Sequence, residues 1–377
     1  MGHFETEIME EARLIAQKDL RSCYKENGIV AGNHHFTDYW ARDGYFAAFG
    51  SLALGDKEIV QKMVDMFLDF QKDSGLIPYR IMRGPVTLGK YFGHPKFYKT
   101  PKPTYRLRDF GPEVLDGTTL TLLFLALLGQ SGWEKAKNHL TQVEKALNYL
   151  TLKEKHGLLW DGFMCEWNDV AYKLGNLLYS NVIYWKMYVE LTNYYRSIKN
   201  VRWKEFEKKQ SDIAVALRKR LWNGKFFSDW HDYKRQDYMY PFGNLFAIAW
   251  GLTTNSESNS IINEVKKYRM LFTIETNAPK YPWWRIGMLA HLTGMSGYQN
   301  MSLLWLQPAT AYLEALKAVG NSDEFDIFAS RIAQKVVEDG IIHECYERDG
   351  RPMQGALYTA EKPFAWSSGL LVKALNT

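Results

Sequence analysis

Two kinds of helical segment alternate along the chain, and this alternation limits the folds available to it more than any other feature. Segments of one kind are amphipathic and rich in Lys and Glu, so each is predicted to keep one face in solvent. They lie near residues 5–24, 56–72, 132–151, 203–221, 258–271 and 322–338. Segments of the other kind are apolar on nearly every side and are therefore predicted to be buried all round. They lie near residues 40–54, 117–129, 176–197, 242–251, 301–319 and 364–376.

Exposed and buried helices in alternation predict an outer ring of helices packed on an inner ring. The twelve segments then form six hairpins, which make an all-α (α/α)6 toroid, and we expect residues 1–377 to form a single domain. Links into the outer helices are short, whereas links into the inner helices are long. Long loops in a compact domain are usually functional. Because each long loop precedes an inner helix, all of them are expected at one end of the toroid.

The composition argues against several classes of function. The chain has 47 basic and 42 acidic residues, a net charge of only +5, and the basic residues are scattered, so we expect no nucleic-acid partner. The three cysteines have no metal-ligand spacing, and their odd number argues against a disulfide framework, which favours a cytoplasmic location. No apolar run is long enough to span a membrane, and residues 1–24 form a charged amphipathic stretch unlike a signal peptide.

Sequence motifs for the common cofactors are also missing. There is no glycine-rich phosphate loop, no Gly-x-Ser-x-Gly elbow and no zinc-ligand spacing, and the nine His do not cluster in sequence. We therefore expect neither a cofactor nor a metal. The sequence leaves the oligomeric state open.

Carboxylates stand beside aromatic side chains in the loops ahead of the buried helices. The clearest segments are 39–43, 166–169 and 343–347, which read Tyr-Trp-Ala-Arg-Asp, Glu-Trp-Asn-Asp and His-Glu-Cys-Tyr-Glu. Carboxylates bind hydroxyl groups and perform acid–base cleavage of glycosidic bonds, and aromatic faces pack on sugar rings. The combination favours a small-molecule carbohydrate as the partner of this chain.

Asp169 is the candidate general acid. Such an acid must keep its proton near neutral pH, and apolar neighbours such as Trp167 raise a carboxyl pKa by desolvation. Asp is also common at the N-cap of a helix, which is the structural alternative for this residue. Competing acids in the same loop are Glu166 and Asp161.

Glu344 is the candidate general base, which would hold the attacking water on the far side of the sugar. In inverting glycosidases the two carboxyl groups lie about 6.5–9.5 Å apart, so Asp169 and Glu344 are expected to face each other across one pocket. The structural alternative is a solvated turn before a hairpin at Asp349-Gly350. Alternative bases are Glu361 and Glu347.

Sugar-binding residues are expected around these two carboxylates. Arg42 donates and Asp43 accepts hydrogen bonds, so together they can hold two sugar hydroxyls, and Tyr39 or Trp40 can pack on the pyranose face. Asp116 either belongs to this site or serves only as an N-cap. The remaining candidates offer carboxylate, amide, phenol or aromatic groups: Glu166, Trp167, Tyr240, Asn244, Trp284, Tyr298, Gln299, Asn300 and Trp366.

Four stretches resemble the six-hairpin glycosidases, most closely their neutral/alkaline invertase group. Residues 40–44 look like the Trp-x-Arg-Asp signature of the first inner helix, which lines the glycone subsite in that family. Residues 243–248 resemble the invertases' Gly-Asn-Leu-x-Ala-Ile segment. Residues 298–305 resemble their Tyr-His-Asn-Gly-Gly-x-Trp-Pro segment, with Met301 and Ser302 in place of the two glycines. Glu344 and the stretch that follows it resemble the loop that holds the catalytic base.

The resemblance implies a function as well as a fold. Glucoamylase-like and debranching-type glucosidases show a more distant resemblance than the invertase group. In the family the acid precedes the sixth helix, a place that Asp169 or Glu166 takes here. The implied activity is an inverting, exo-acting glycoside hydrolase that cleaves a small glucoside or oligosaccharide, either sucrose-like or an α-glucoside. Alternatives are an inverting phosphorylase, a catalytically inactive carbohydrate-binding protein, and a sugar 2-epimerase or isomerase that uses His231, His291 or His343.

Overall fold

The predicted all-α toroid is confirmed by the computed structural model, which describes residues 3–85, 96–107, 111–355 and 358–376. Within these residues, one main helix lies close to each of the twelve predicted segments. The helices are α1 (His3–Ser22), α2 (Ala41–Ala53), α3 (Lys57–Asp69), α4 (Asp116–Gln130), α5 (Leu140–Leu152), α6 (Leu178–Ser197), α7 (Trp203–Leu221), α8 (Pro241–Ala249), α9 (Asn255–Val265), α10 (Leu306–Ala318), α11 (Ser322–Asp339) and α12 (Ala365–Leu375).

The even-numbered helices form a closed inner ring. Contacts run from α2 to α4, α6, α8, α10 and α12 in turn, and α12 returns to contact α2. Outer helices pack on this ring: α1 against α12, α3 against α4, α7 against α6, α9 against α8 and α11 against α10. Helix α5 follows a 3₁₀ segment, Glu134–His139, which contacts α4. Helix α1 also packs on α11, the last outer helix.

Side-chain composition explains which helices lie inside. Every residue of α4 from Asp116 to Ala126 is buried, as expected for a helix that is apolar nearly all round. In α7 the buried residues are Phe206, Ile213, Leu217 and Leu221, whose spacing of seven and four places them on one face. Its other face is rich in Lys and Arg and lies in solvent.

Short β-strands, which the sequence pattern does not predict, hold the loops at the N-terminal ends of the inner helices. The first sheet has the order β3 (Tyr39–Trp40), β4 (Arg80–Met82) and β5 (Lys102–Thr104), all antiparallel. Strand β3 runs directly into α2, so its pairing with β4 fixes where that helix begins. Hairpins β1–β2 (Tyr24–Lys25, Gly28–Ile29) and β6–β7 (Glu154–Lys155, Leu158–Leu159) follow α1 and α5.

Two further sheets hold the loops directly ahead of α6 and α10. Strand β8 (Asn176–Leu177) leads into α6 and pairs with β9 (Ser228–His231), which also pairs with β10 (Arg235–Met239). Strand β11 (Leu304–Trp305) leads into α10 and pairs with β12 (Cys345–Tyr346). The second of these pairings joins the loop of α10 to the loop that carries Glu344.

Some predicted boundaries are wrong. The tenth helix was expected from residue 301, but it begins at Leu306, because Tyr298–Ser302 forms an irregular wide turn in which Met301 has a φ of 64°. The ninth was expected at 258–271 and spans Asn255–Val265, where Thr254 and Glu257 form a capping box. A short helix, Met288–Leu292, was not expected.

Glycines allow α2 and α12 to approach closely, where the ring closes. A Cβ on Gly50 would overlap the backbone of Gly369, and a Cβ on Gly369 would overlap the backbone of Ala47. Neither glycine has a positive φ. Space between the two helices, rather than backbone conformation, therefore requires glycine at these positions.

This packing makes a prediction about Gly50→Ala. Helix propensity alone would stabilise the variant by about 1 kcal/mol, whereas overpacking of a close helix pair costs about 1–3 kcal/mol. We expect the second effect to win and the variant to melt at a lower temperature than the wild-type protein. Thermal and urea unfolding followed by circular dichroism measure the difference. A stabilised variant would show that the two helices are not in such close contact.

Candidate active site

One cavity collects both candidate catalytic carboxylates and several of the aromatic candidates. It encloses about 500 Å³, including the space at its mouth. Its walls come from the loops and first turns of α2, α10 and α12 and from the loop before α6. The lining residues are Ala31, Phe36, Trp40, Arg42, Asp43, Trp167, Asp169, Gln299, Trp305, Glu344, Phe364 and Trp366.

Aromatic rings form a large part of this wall. Trp167 lies edge-on to Trp305, with ring centroids 5.4 Å apart, and edge-on to Trp366 at 6.2 Å. Trp366 stacks on Phe46 at 4.6 Å and is fully buried from bulk solvent. The guanidinium of Arg80 covers one face of Trp40 at 4.3 Å. Rigid rings of this kind offer flat apolar faces with few rotamers to fix on binding.

Arg42 is held by Asp116 rather than by its sequence neighbour. Its Nε donates to Asp116 Oδ2 at 2.6 Å, and its Nη2 donates to the carbonyl of Cys165 at 3.3 Å. The guanidinium also lies 5.7 Å from the ring of Tyr179. Asp116 is the first residue of α4 and is not at its N-cap, which is Leu115. Asp116 therefore orients the Arg42 guanidinium from behind the cavity wall.

Asp43 lines the cavity, and its surroundings raise the pKa of its carboxyl group. Burial raises the pKa of Asp43 to about 7, Arg42 opposes the rise, and Asp116 and Asp169 add to it through charge repulsion. The charge of Asp169 therefore acts on Asp43 across the cavity that both residues line. A carboxyl group with this pKa can accept or donate a hydrogen bond to a ligand hydroxyl near neutral pH.

The loop that carries Asp169 is pinned by the irregular turn before α10. Asn168 Nδ2 donates to the carbonyl of Gln299 at 2.6 Å, and Gln299 Nε2 donates to the carbonyl of Trp167 at 2.8 Å. Helix α6 begins at Leu178, with Leu177 at its N-cap. Asp169 therefore does not cap this helix, and its carboxyl group lines the cavity instead.

The competing acids, Glu166 and Asp161, lie behind the wall. Glu166 forms a buried ion pair with Lys173, whose Nζ also contacts Asp229 Oδ2 at 2.9 Å. Burial raises the pKa of Glu166, and Lys173 opposes that rise. Burial likewise raises the pKa of Asp161 to about 8. Neither residue lines the cavity, so each fits a structural role better than contact with a ligand.

Glu344 is nearly buried, with 7% of its surface exposed. Its Oε2 accepts hydrogen bonds from the phenol of Tyr358 and from the backbone N–H of Glu361, the latter at 3.1 Å. Burial raises the pKa of Glu344 to about 8, the two hydrogen bonds oppose that rise, and the charges of Glu361 and Asp43 add to it. Glu344 is therefore not the solvated turn residue of the structural alternative.

The two alternative bases do not line the cavity. The carboxylate of Glu361 accepts hydrogen bonds from three consecutive backbone N–H groups, those of His34, His35 and Phe36. Glu347 is half-buried at a turn, where its N–H donates to the carbonyl of Arg351 at 2.8 Å. Glu361 thus holds the segment that carries Phe36, a cavity residue.

Two amides proposed for sugar recognition hold protein backbone instead. Asn244 exchanges hydrogen bonds with the N–H and carbonyl of Phe227, at 2.9 and 2.8 Å. Asn300 accepts from the N–H of Tyr281 at 2.8 Å and donates to its carbonyl at 3.3 Å. Because the hydrogen bonds of these amide groups are made within the protein, we no longer expect either residue to bind a sugar.

Four aromatic candidates also lie away from the lining. Tyr39 and Tyr240 are buried, and the ring of Tyr240 packs against Lys173 Nζ at 4.3 Å. Tyr298 is half-buried with its phenol 3.9 Å from the sulfur of Met353, and Trp284 is 61% exposed. None of the four contacts the cavity, so the sequence overestimated the number of aromatic contacts.

The sequence reasoning missed Ala31, Phe36, Trp305, Phe364 and Tyr358 as site residues. Two of them carry a signal in retrospect. The N-cap positions of α2, α10 and α12 are Trp40, Trp305 and Phe364, and each lacks the side-chain hydrogen bond of an ordinary cap. An aromatic N-cap ahead of an inner helix is thus a signal for three wall residues, although Tyr240 ahead of α8 has the same position and does not line the cavity.

Two further observations concern membrane insertion and metal binding. In the described part of the chain, none of the helices combines the length and the apolar character needed to cross a bilayer. Within the same residues, no group of three or more His, Cys, Asp or Glu side chains is arranged to hold a metal ion.

Solved glycosidases share the overall fold. A family GH63 mannosylglycerate hydrolase from Thermus thermophilus, in complex with Tris, has a TM-score of 0.67 at 13% identity, over 96% of this chain and 99% of that one. A rhamnosidase from Klebsiella oxytoca with rhamnose bound has a TM-score of 0.69 at 13% identity, over 97% of this chain and 63% of that one. A glycosidase variant in complex with glucose has a TM-score of 0.65 at 14% identity, over 99% of this chain and 97% of that one.

These likenesses establish the six-hairpin (α/α)6 fold. No family model and no curated protein sequence matches the chain. The chain spans less than two thirds of the rhamnosidase, which is therefore the larger protein.

Burial of Glu344 gives protein stability a dependence on pH. Its folded-state pKa, about 8, exceeds the value of about 4.3 for an exposed Glu. The folded protein therefore binds this proton more tightly than the unfolded chain does. The resulting stabilisation of the folded state is fully present below about pH 4 and is lost as the pH rises through about 8.

Glu344→Gln replaces this group by a neutral side chain that can still accept both hydrogen bonds. At about pH 8.5 we expect the variant to be more stable than wild type by on the order of 2–4 kcal/mol, and the gain to vanish below about pH 4. Thermal melts at the two pH values measure the difference. The matched control is Glu347→Gln, at the less buried carboxyl group of the same loop. An equal gain in both variants would contradict the assignment to Glu344.

Proposed function

We propose that the protein is an inverting, exo-acting glycoside hydrolase of a small glycoside or oligosaccharide. Asp169 protonates the leaving oxygen, and Glu344 deprotonates the attacking water. Arg42, Asp43 and Trp40 hold the terminal sugar. The observation that carries the proposal is that Asp169 and Glu344, far apart in sequence, line one cavity together with those three residues.

The size and lining of the cavity favour a small substrate or a chain end. The interior offers only about 100 Å³ to the centres of water-sized groups, which is small for a ligand pocket. Arg42 and Asp43 offer a donor and an acceptor side by side, as adjacent sugar hydroxyls require. Trp40 and Trp167 add apolar surface that suits a pyranose ring, and Trp366 supports the wall from behind.

The fold relatives suggest which sugars to try. One relative is named a mannosylglycerate hydrolase, another is a rhamnosidase with rhamnose bound, and a third binds glucose. The invertase-like segments of the sequence add sucrose and other α-glucosides to the panel. Product anomers resolved by NMR in the first minutes of reaction test the stereochemistry, and we expect the configuration of the released sugar to be opposite to that of the substrate. A retained configuration would refute the inverting mechanism.

The roles of the two carboxyl groups can be separated with substrates that differ in their leaving group. A nitrophenolate leaves without a proton, whereas a sugar alkoxide needs one from the general acid. Asp169→Asn should therefore slow cleavage of a disaccharide by about 10²–10⁴-fold and cleavage of a p-nitrophenyl glycoside far less. Glu344→Gln should slow both by about 10²–10⁴-fold, because both need an activated water.

The opposite pattern would exchange the two roles, which matters because the raised pKa of Glu344 by itself also suits a general acid. Glu347→Gln, near the site but outside the cavity lining, is the control and should retain wild-type rates. Substrate binding by either inactive variant, measured by calorimetry, shows that the site is still folded. Near-wild-type hydrolysis of both substrates by either variant would refute the proposal.

The epimerase alternative requires a histidine that faces the cavity, and none of the described lining residues is a histidine. His231 contacts Arg220 at 2.9 Å, and His291 contacts the carbonyl of Trp283 at 3.0 Å. His343 is buried and packs edge-on to Tyr346, with ring centroids 5.8 Å apart. The site therefore favours hydrolysis over epimerisation. Repeating the substrate panel with added phosphate would detect a phosphorylase.

A further inference from the structure

The loop segments around Glu344 and Glu361 are bonded to each other in both directions. The N–H of Glu344 donates to the carbonyl of Glu361 at 2.9 Å, and the N–H of Glu361 donates to Glu344 Oε2 at 3.1 Å. The phenol of Tyr358 donates to the same oxygen. Glu344 Oε1 accepts no hydrogen bond from the described residues, so Oε2 is fixed by the protein while Oε1 is left to the cavity.

The side chain of Glu361 extends this arrangement to the segment that carries Phe36. Its two carboxylate oxygens receive the N–H groups of His34, His35 and Phe36, at 2.7 and 2.8 Å for the first and last. A Cβ on Gly32 would overlap the Glu361 side chain, so the segment fits closely around that carboxylate. Through this one residue, the wall that carries Phe36 is tied to the loop that carries Glu344.

The orientation of the Tyr358 phenol is also fixed. Its ring stacks on His35 with centroids 5.5 Å apart and an interplanar angle of 28°. On another side, it meets the ring of Tyr298 at 5.9 Å. These contacts leave the ring little freedom and direct its hydroxyl group toward Glu344.

We propose that Tyr358 and Glu361 are positioning residues for Glu344: Tyr358 holds Oε2 so that Oε1 faces the water in the cavity, and Glu361 locks the base loop to the Phe36 wall. This inference rests on the proposed function, in which Glu344 activates water. Neither residue needs to touch the substrate. Each acts through the orientation and proton affinity of Glu344.

The two residues should act on that proton affinity in opposite directions. A phenol that donates to a carboxylate stabilises the ionised form, whereas a neighbouring negative charge destabilises it. The pKa of Glu344 is raised chiefly by burial, lowered by the Tyr358 hydrogen bond and raised by the charge of Glu361. Among the residues that the structure describes, the charged and titratable groups that interact with Glu344 or share its cavity are Arg42, Asp43, Asp169, Tyr298, Cys345, Tyr358 and Glu361.

The test measures the titration of Glu344 directly, in the full-length, ligand-free protein. The infrared C=O band of its protonated carboxyl group is identified as the band lost in Glu344→Gln. We expect Tyr358→Phe to move the midpoint of this band upward by about one pH unit. Glu361→Gln should move it downward by about half a unit.

The matched control is Tyr184→Phe. Tyr184 is also a buried phenol that donates to a glutamate, Glu154 Oε1 at 2.5 Å, but it lies on α6 away from the cavity. This variant should leave the Glu344 midpoint unchanged. An unmoved midpoint in Tyr358→Phe, or an equal shift in Tyr184→Phe, would overturn the inference, and the tyrosine pair decides it even if Glu361→Gln does not fold.

Activity supplies a second readout with the glycoside that wild type cleaves. Tyr358→Phe should lower kcat by about tenfold or more with a smaller change in KM, and the acidic limb of kcat/KM should move with the infrared midpoint. Equal changes in kcat and KM without a shift of that limb would indicate a merely structural role. If wild type cleaves no glycoside, the proposed function fails, while the infrared titration still reports whether the two residues control Glu344.

Discussion

Contact between α2 and α12 is the constraint on which the rest of the structure depends. Gly50 and Gly369 let the two helices approach until backbone meets backbone, and this contact closes the inner ring. Closure brings Arg42 and Asp43, at the start of α2, to the same cavity as Glu344 and Trp366 from the last hairpin. With larger residues at the crossing, the two halves of the cavity would be pushed apart.

The cavity is electrostatically unusual, because it collects carboxyl groups in a place that disfavours their charge. Burial raises the pKa of Asp43 and of Glu344, and the charge of Asp43 adds to the rise at Glu344. Arg42 partly compensates, but its guanidinium is already paired with Asp116. Such crowding lowers stability, and it leaves protons on carboxyl groups near neutral pH, where acid–base catalysis requires mobile protons.

The fold could be predicted because it depends on periodicity, which the sequence carries locally. The two catalytic candidates could be proposed from another local signal, since carboxylates stand beside aromatics ahead of buried helices, and their shared cavity is consistent with that proposal. Contacts between distant segments were not. Nothing near Arg42 in sequence indicates that its partner is Asp116, and nothing near Glu344 points to Tyr358 or to the wall at Phe36. The start of α10 was predicted too early because Met301 adopts a left-handed backbone conformation, which glycine usually occupies and which a methionine does not indicate.

The closed ring also has a consequence for biosynthesis. Helices α2 to α10 each pack on a neighbour that precedes or immediately follows them in the chain, so they can assemble in order as the polypeptide leaves the ribosome. The contact between α12 and α2 is different, because these two helices lie near opposite ends of the sequence. Glu344 and Trp366 both belong to the last hairpin and complete the cavity wall late in synthesis. A nascent chain therefore contains Arg42 and Asp43 early and completes this cavity only after Glu344 and Trp366 have been made.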